Sequence, residues 1–353
     1  MPEQAACRRS RAGRLLRAGR PLVVLPATLL AAVAPVLPAH AAAGSGYGTP
    51  TTRCEITDPR LPELSGLATA GDALLAMDDG GDQVQVFVLD GSCAVAEVRT
   101  GDVDPYDPED MALAADGTIW TEDAGDNRQE RATVAMIGLR PDGSTTVTRL
   151  TYPDGAHDTE SLLLAPDGTP YLVTKEVLGA SAVYRPDAPL VDGKTQPMSK
   201  VADLGFTLTG TKGGPVGRAG QLMATGGAVA GDGSRIALRT YTDAYIWPLR
   251  GSDVAGALSG TPARVPLPPS PQGEAISFAA NNRDLVVSSE GLPAAVTVVP
   301  AGAAPVAGSS SAAAAGARTE TSSGSASPVA ALVVAAVIAT ALVWVVSRFR
   351  RRV

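Results

Sequence analysis

Three glutamates carry the strongest chemical signal in the chain. Glu109, Glu160 and Glu274 each precede an apolar run, a turn and a second short apolar strand that ends in a polar or charged residue. Glu109-Asp110-Met111-Ala112-Leu113 leads through Asp116-Gly117 to Ile119-Trp120 and Glu122-Asp123. Glu160-Ser161-Leu162-Leu163-Leu164 leads through Asp167-Gly168 to Tyr171-Leu172-Val173 and Thr174-Lys175. Glu274-Ala275-Ile276 turns at Asn281-Asn282 and continues through Leu285-Val286-Val287 to Ser288. Thr225 heads a weaker copy with Asp232-Gly233 and Arg239, and Ser65 the weakest, with Gly71-Asp72 and Asp79. If the heads are equivalent, their side chains meet around one axis. Carboxylates brought together this way repel, so they need a cation, a cationic side chain or raised pKa values. Arg239 and Lys175 are the internal sources of positive charge. Ca2+, which takes oxygen ligands, is the external one.

A second column stands 14 residues after the heads: Asp79, Asp123, Thr174, Arg239 and Ser288, with Glu122, Lys175 and Glu290 beside it. Asp123-Ala124-Gly125-Asp126-Asn127-Arg128 sets three oxygen side chains within five residues around a glycine. It reads either as a Ca2+ or ligand loop without EF-hand spacing, or as an Asx-rich turn in which Arg128 or Arg131 pairs an acid. The candidate metal ligands are therefore Glu109, Glu160, Glu274, Asp123, Asp126 and Asn127. Asp79, Lys175, Arg239 and His157 are the candidate ligand-binding residues. His40 and His157 are the chain's two histidines. His40 belongs to a targeting segment, so His-rich zinc sites are excluded and a Ser-His-Asp hydrolase would have to use His157. No glycine-rich phosphate loop opens a helix.

The elements that must position these residues are strands. Val84–Val88, Thr145–Leu150 and Ala295–Val299 alternate with period two, and no ectodomain stretch keeps a helical apolar stripe. After each second strand comes a third, as in Val134–Leu139, Ala182–Tyr184 and Ala244–Trp247. A four-strand unit repeated radially predicts an all-β fold, a β-propeller of about five four-stranded blades. The stretch Val201–Thr211 is either an extended loop or part of a degenerate sixth blade. Thr51–Ile56 is placed to complete the last blade and close the ring. A β-sandwich is the competing fold. The Asp-Gly pairs at 116, 142, 154, 167 and 232 are expected as hairpin turns.

Outside this unit lie two addresses. Six arginines, an apolar run over 21–37 and Ala39-His40-Ala41 form a signal peptide, residues 1–41. Arg8-Arg9 lacks the rest of a twin-arginine signal, which favours the general secretory route. Residues 328–346 are apolar and long enough for a bilayer core of about 30 Å. Arginines follow in 347–353, so this reads as a transmembrane helix with a basic cytoplasmic tail. Residues 301–327 are an Ala/Ser/Gly-rich flexible stalk. The expectation is a single-pass cell-membrane protein whose β-propeller ectodomain, 48–300, lies outside. Without the six basic residues of the signal and the four of the tail, 19 Lys+Arg face 35 Asp+Glu, a net charge of −16. That disfavours nucleic acid and anionic lipid as partners of the ectodomain. Of three cysteines, Cys7 leaves with the signal. Cys54 and Cys93 remain, as one disulfide in an oxidising compartment or as two buried thiols.

The segments Asp107-Pro108-Glu109-Asp110, Trp120–Arg128, Tyr152–Glu160, Arg239-Thr240-Tyr241 and Gln272-Gly273-Glu274 resemble those of exported, membrane-anchored actinobacterial β-propeller proteins. More distantly the chain resembles esterase-like phytase and lactonase or NHL-type propellers. The first resemblance carries no activity. The second implies Ca2+-assisted hydrolysis by carboxylates, with Lys175, Arg239, Arg128 and Arg131 as the basic candidates. Two functions follow as expectations. One is a membrane-tethered propeller that binds an extracytoplasmic protein or small ligand. The other is a Ca2+-dependent hydrolase of phosphate-ester or lactone type using the channel carboxylates.

Overall fold

The computed structural model describes residues 46–302. The expected signal peptide, the stalk beyond 302, the membrane helix and the basic tail lie outside the described residues. Among the described residues no helix is long and apolar enough to cross a membrane.

Twenty strands form five four-stranded antiparallel units, of which the second and third merge into one eight-stranded sheet through a parallel pairing of Arg149–Thr151 with Thr195–Pro197. The first blade is β2 (Leu64–Ala70), β3 (Ala73–Asp78), β4 (Val84–Leu89) and β5 (Val95–Gly101). The second is β6 (Pro108–Leu113), β7 (Ile119–Asp123), β8 (Val134–Leu139) and β9 (Thr145–Thr151). The third is β10 (Thr159–Leu164), β11 (Pro170–Thr174), β12 (Ala180–Pro186) and β13 (Thr195–Gly205). The fourth is β14 (Ala224–Val229), β15 (Arg235–Thr240), β16 (Asp243–Pro248) and β17 (Ala263–Pro266). The fifth takes β18 (Ile276–Phe278), β19 (Leu285–Val287) and β20 (Ala294–Val299), and is completed by β1 (Thr51–Ile56), antiparallel to β20. The N-terminal strand thus caps what would be an open edge. The 201–211 stretch is the end of β13 followed by a link, so there is no sixth blade among the described residues.

The units close a ring. The first strands β2, β6, β10, β14 and β18 each contact the next, and β18 returns to β2. Every neighbouring pair of units shares an apolar core. Met77 and Met111 join the first to the second, Met136 and Leu162 the second to the third, and Leu163 and Leu238 the third to the fourth. Ala237 and Ile276 join the fourth to the fifth, and Val286 and Leu64 the fifth to the first. This pattern fits a five-bladed β-propeller. Cys54 in β1 and Cys93 in the β4–β5 turn form a disulfide, with Cα atoms 5.8 Å apart, across the same closing seam.

The turns between first and second strands repeat closely. Asp116, Asp167 and Asp232 each accept the backbone N–H two residues on, at 2.9–3.0 Å. Gly117, Gly168 and Gly233 follow at φ +85°, +84° and +67°. An Asx turn with a left-handed glycine is what Asp-Gly supplies. Asp142-Gly143 turns the β8–β9 hairpin in the same way. Asp154-Gly155 departs from expectation. It lies in the link from β9 to β10, where Asp154 instead accepts from the Tyr184 hydroxyl at 2.8 Å.

Candidate functional site

Each first strand begins on one face of the ring. Because the strands alternate in direction, that face also carries the blade-to-blade links and the turns between second and third strands. It is the mouth face, and the repeat heads lie on it. Their placement has a local cause. The pairing of first and second strands slips by one residue between Leu64 and Gly66, Pro108 and Asp110, Thr159 and Ser161, and Ala224 and Gly226. The residue passed over is Ser65, Glu109, Glu160 or Thr225. A β-bulge leaves its extra residue unpaired and re-aims the side chain, so the heads turn out of the ladder into the channel. Glu274 holds the corresponding place before β18.

One residue further on, the axis narrows. Gly66, Asp110, Ser161, Gly226 and Ala275 follow the heads. A Cβ on Gly66 would lie 2.7 Å from Met111 Cγ, and one on Gly226 would overlap the Glu274 carbonyl. Asp110 fills the space these small residues leave. Its carboxylate accepts N–H groups from Met111 at 2.8 Å, Leu162 at 2.8 Å and Gly227 at 2.9 Å, tying the second, third and fourth blades. Full burial pushes its pKa up to about 8 against the pull of those three bonds.

Above this plug the mouth is acidic. Glu109, Glu160 and Glu274 are all buried, at 4%, 2% and 2% exposure. Lys175 pairs with Glu160 and stands over the Tyr241 ring, 5.6 Å from its centroid. Burial works against the Lys175 charge, but Glu160 together with Tyr241 and Glu274 outweighs it and raises the ammonium pKa. Glu160 Oε2 and Glu274 Oε2 are buried without a hydrogen-bond partner among the described residues. Burial and then Glu160 push Glu274 up to about 7, and burial and Glu274 push Glu290 up to about 8. Gln272 Nε2 donates to both carboxylates. Glu63, Asp78 and Asp79 bring one carboxylate oxygen each within 4.8 Å of one another. Burial and the neighbouring acids raise Asp78 to about 6 and Asp79 to about 8. Gly125 approaches from the side, and a methyl group there would overlap Glu109 Oε1 and crowd Asp107 Oδ2.

The structure therefore gathers Glu109, Glu160, Glu274, Lys175 and Asp79 at one mouth. The other expected residues are engaged elsewhere. Asp123 Oδ1 accepts from the Tyr106 and Asp107 amides at 3.2 and 2.9 Å and from Arg131 Nη2 at 3.0 Å. Asp126 Oδ2 accepts the Arg131 amide at 2.7 Å, and Asn127 is exposed. The 123–128 segment is thus an Asx-rich turn latched by Arg131, whose guanidinium also lies 4.6 Å from the Tyr106 ring centroid. Arg239 is fully buried and gives its N–H groups to carbonyls. It donates to Thr240 at 3.2 Å, Ala275 at 2.8 Å, Ser288 at 3.0 Å and Tyr241 at 3.4 Å, stapling the fourth blade to the fifth. Burial pulls its pKa down to about 10. His157 Nε2 lies 3.0 Å from both Asp154 Oδ1 and the Tyr184 hydroxyl, and its ring meets Tyr152 edge-on.

Two features escaped the sequence reading. The pairing register sets Asp78, Asp123, Thr174 and Thr240 opposite the residue before each head, which displaces Asp79 and Arg239 from that column. A further column stands two residues before the heads: Glu63, Asp107, Asp158 and Gln272, with Met223 in the fourth blade. Its signal was present, since acids precede three of the five heads at constant spacing.

No family model matches the chain. No curated protein matches it either. Among solved structures it is similar to a gluconolactonase from Xanthomonas campestris, at 16% identity over 65% of this chain and 68% of that one, with a TM-score of 0.38. It is similar to a luciferin-regenerating enzyme at 15% identity over 67% and 77%, TM-score 0.40. A PQQ-bound aldose sugar dehydrogenase from Streptomyces coelicolor matches at 11% identity over 71% and 98%, TM-score 0.37. Likenesses of this size carry no argument about function, which rests on the site itself.

Proposed function

We propose that the chain is a cation-dependent hydrolase acting at the channel mouth on neutral carboxylic esters, with lactones as the cyclic form. The observation that supports this most is Glu274. Its Oε2 is buried and unpartnered in a mouth crowded with other carboxyls, and its pKa lies at about 7. A buried polar oxygen without a partner is costly, so a ligand that completes it is favoured. A carboxyl titrating near neutral pH also suits general base work.

The donor set fits a hard divalent cation such as Ca2+, since it is made of oxygens only. Glu63, Asp78 and Asp79 would hold it. When bound, such an ion polarises a carbonyl oxygen and acidifies water beside it. Glu274 takes the proton of the attacking water and returns it to the alcohol oxygen as the acyl C–O bond of the ester breaks. The Lys175 ammonium, held by Glu160, sets positive charge where the carbonyl oxygen becomes negative. The acidic surroundings disfavour phosphate esters, whose charge they repel, and favour uncharged substrates. The same reading takes the ectodomain as exported and anchored by 328–346, on the sequence argument alone. Protease digestion of intact cells checks that orientation.

The test is turnover of a lactone and ester panel with Ca2+, Mn2+, Mg2+ or Zn2+, and after EDTA. Glu274→Gln is expected to lower kcat about 100-fold, the usual scale for a general base, with melting unchanged or raised. A folded, metal-loaded chain that turns over no member of the panel sinks the proposal.

A further inference from the structure

The residue that leaves each second strand stands on the mouth face. Asp78, Thr174 and Thr240 pair with the residue before their head, so Asp79, Lys175 and Tyr241 hold one equivalent place in the first, third and fourth blades. Asp79 and Lys175 already have parts in the proposed chemistry. Tyr241 has none, yet it lies among the same groups. Lys175 Nζ is 5.6 Å from its ring centroid. Its hydroxyl feels the Glu160 and Glu274 carboxyls as well as the Lys175 ammonium.

The Tyr241 ring is set in place before anything binds. The link from the third blade to the fourth runs across it. A Cβ on Gly214 would lie 2.8 Å from Tyr241 Cβ, and one on Gly220 3.2 Å from Tyr241 Cδ2. Glycine lets the backbone come this close, and Gly214 also takes φ +75°. The link is itself tied down. Gln221 accepts the Thr209 and Gly210 amides at 2.8 and 3.0 Å and donates to the Thr211 carbonyl at 2.9 Å. Buried Asp243 accepts the Thr209 and Thr211 hydroxyls, each at 2.8 Å.

The neighbours of the hydroxyl leave its hydrogen free. An ammonium has donors only, so the hydroxyl can accept from Lys175 but cannot donate to it. Glu160 Oε1 is taken by Lys175 and Glu274 Oε1 by Gln272. Glu160 Oε2 and Glu274 Oε2 have no partner among the described residues, so neither takes the hydrogen. Burial and the Glu160 carboxylate raise the hydroxyl pKa against the pull of Lys175. The group therefore stays protonated, a hydrogen-bond donor that does not give its proton away.

Building on the hydrolysis proposed above, we infer that Tyr241 is a catalytic residue whose hydroxyl joins the Lys175 ammonium in a two-donor site for the ester carbonyl oxygen. Water adds to the acyl carbon, the C=O electron pair moves onto that oxygen, and the two donors hold its negative charge without exchanging a proton. The pair returns to re-form C=O as the alcohol oxygen leaves with the proton from Glu274. Donors fixed before the charge develops need no reorganisation when it does.

The test is Tyr241→Phe in the full chain, which keeps the ring against the link and removes only the hydroxyl. On esters of the panel kcat should fall about 100-fold at unchanged KM, the usual scale for one oxyanion donor. A trifluoromethyl ketone, whose hydrate mimics the tetrahedral intermediate, should lose affinity by about the same factor, read by fluorine NMR with and without Ca2+. The matching ether, which has no carbonyl, should bind both chains alike, and melting should be unchanged. Wild-type turnover that Tyr241→Phe lowers by less than about tenfold overturns the role of Tyr241 and leaves the hydrolase standing. A wild type that neither turns over an ester nor binds the ketone overturns both. Ketone affinity indifferent to the substitution, an equal loss for the ether, or a fall in melting temperature overturns the role of Tyr241 as well.

Discussion

The two ends of the innermost strands have diverged in opposite ways. At the turn end, Asp116, Asp167 and Asp232 make the same Asx turn and Gly117, Gly168 and Gly233 the same left-handed step. At the mouth end the equivalent positions hold Ser65, Glu109, Glu160, Thr225 and Glu274. The bulge that aims them is repeated, but the side chain it aims is not. Regularity at one end builds the ring, and variety on a common bulge at the other builds a site. The cost also falls at the varied end, where carboxyls are buried beside one another.

That contrast predicts opposite responses to solvent and to substitution. The largest effect is expected from pH. Asp110, Glu274 and Glu290 bind protons at about 8, 7 and 8 in the folded chain, well above ordinary carboxyls. The folded state therefore holds more protons than the unfolded one across roughly pH 4–8, and stability falls as pH rises through that window. Denaturant titrations without added metal should show a more stable ring at the acid end. If a divalent ion occupies the mouth, Ca2+ should flatten the slope. A slope of opposite sign would mean that these carboxyls are not buried as described.

Reducing the Cys54–Cys93 bridge should come next, because it closes the ring at a seam independent of the mouth. Loop-closure entropy for a 39-residue separation gives about 4 kcal/mol. Urea melts of Cys93→Ser should lose most of it, and the pH slope should stay. Substituting Gly168 by Ala should have the smallest effect, about 1 kcal/mol, from forcing a Cβ into left-handed backbone. Gly117→Ala and Gly233→Ala should lose more, because a Cβ there would lie 3.0 Å from Pro141 Cγ and 2.8 Å from Pro166 Cγ. Losses in that order, with mouth properties intact, would sharpen the separation of the two ends.

The legibility of the sequence follows the same division. The turn end was readable because Asp-Gly announces its own geometry. The closing role of Thr51–Ile56 was also readable, since a unit short of one strand needs an edge partner. The mouth was half readable. Heads can be recognised by type, and three glutamates were placed together. A constant offset of 14 residues could not find their partners, because the bulge and the turn length intervene. Leu64 pairs with Asp78, yet Ala224 pairs with Thr240. Arg239 shows a second limit. An arginine near acids reads as their counter-charge, and only the backbone around it reveals that it serves carbonyls. The Asp123 segment left two readings open, and the pairing of Arg131 with Asp123 Oδ1 is the contact that the turn reading expected.

The N-terminal strand has a consequence in time. β1 is synthesised before any blade and finds its partner only when β20 appears, almost at the end of the ring. Until then it is an unpaired edge whose one other tie, the Cys54–Cys93 bridge, runs to the first blade, and the four complete blades have an open side. A ribosome releasing this chain residue by residue therefore holds an incomplete ring for nearly the whole of the domain. Truncation before Ala294 removes β20 and leaves the first strand with nothing to close.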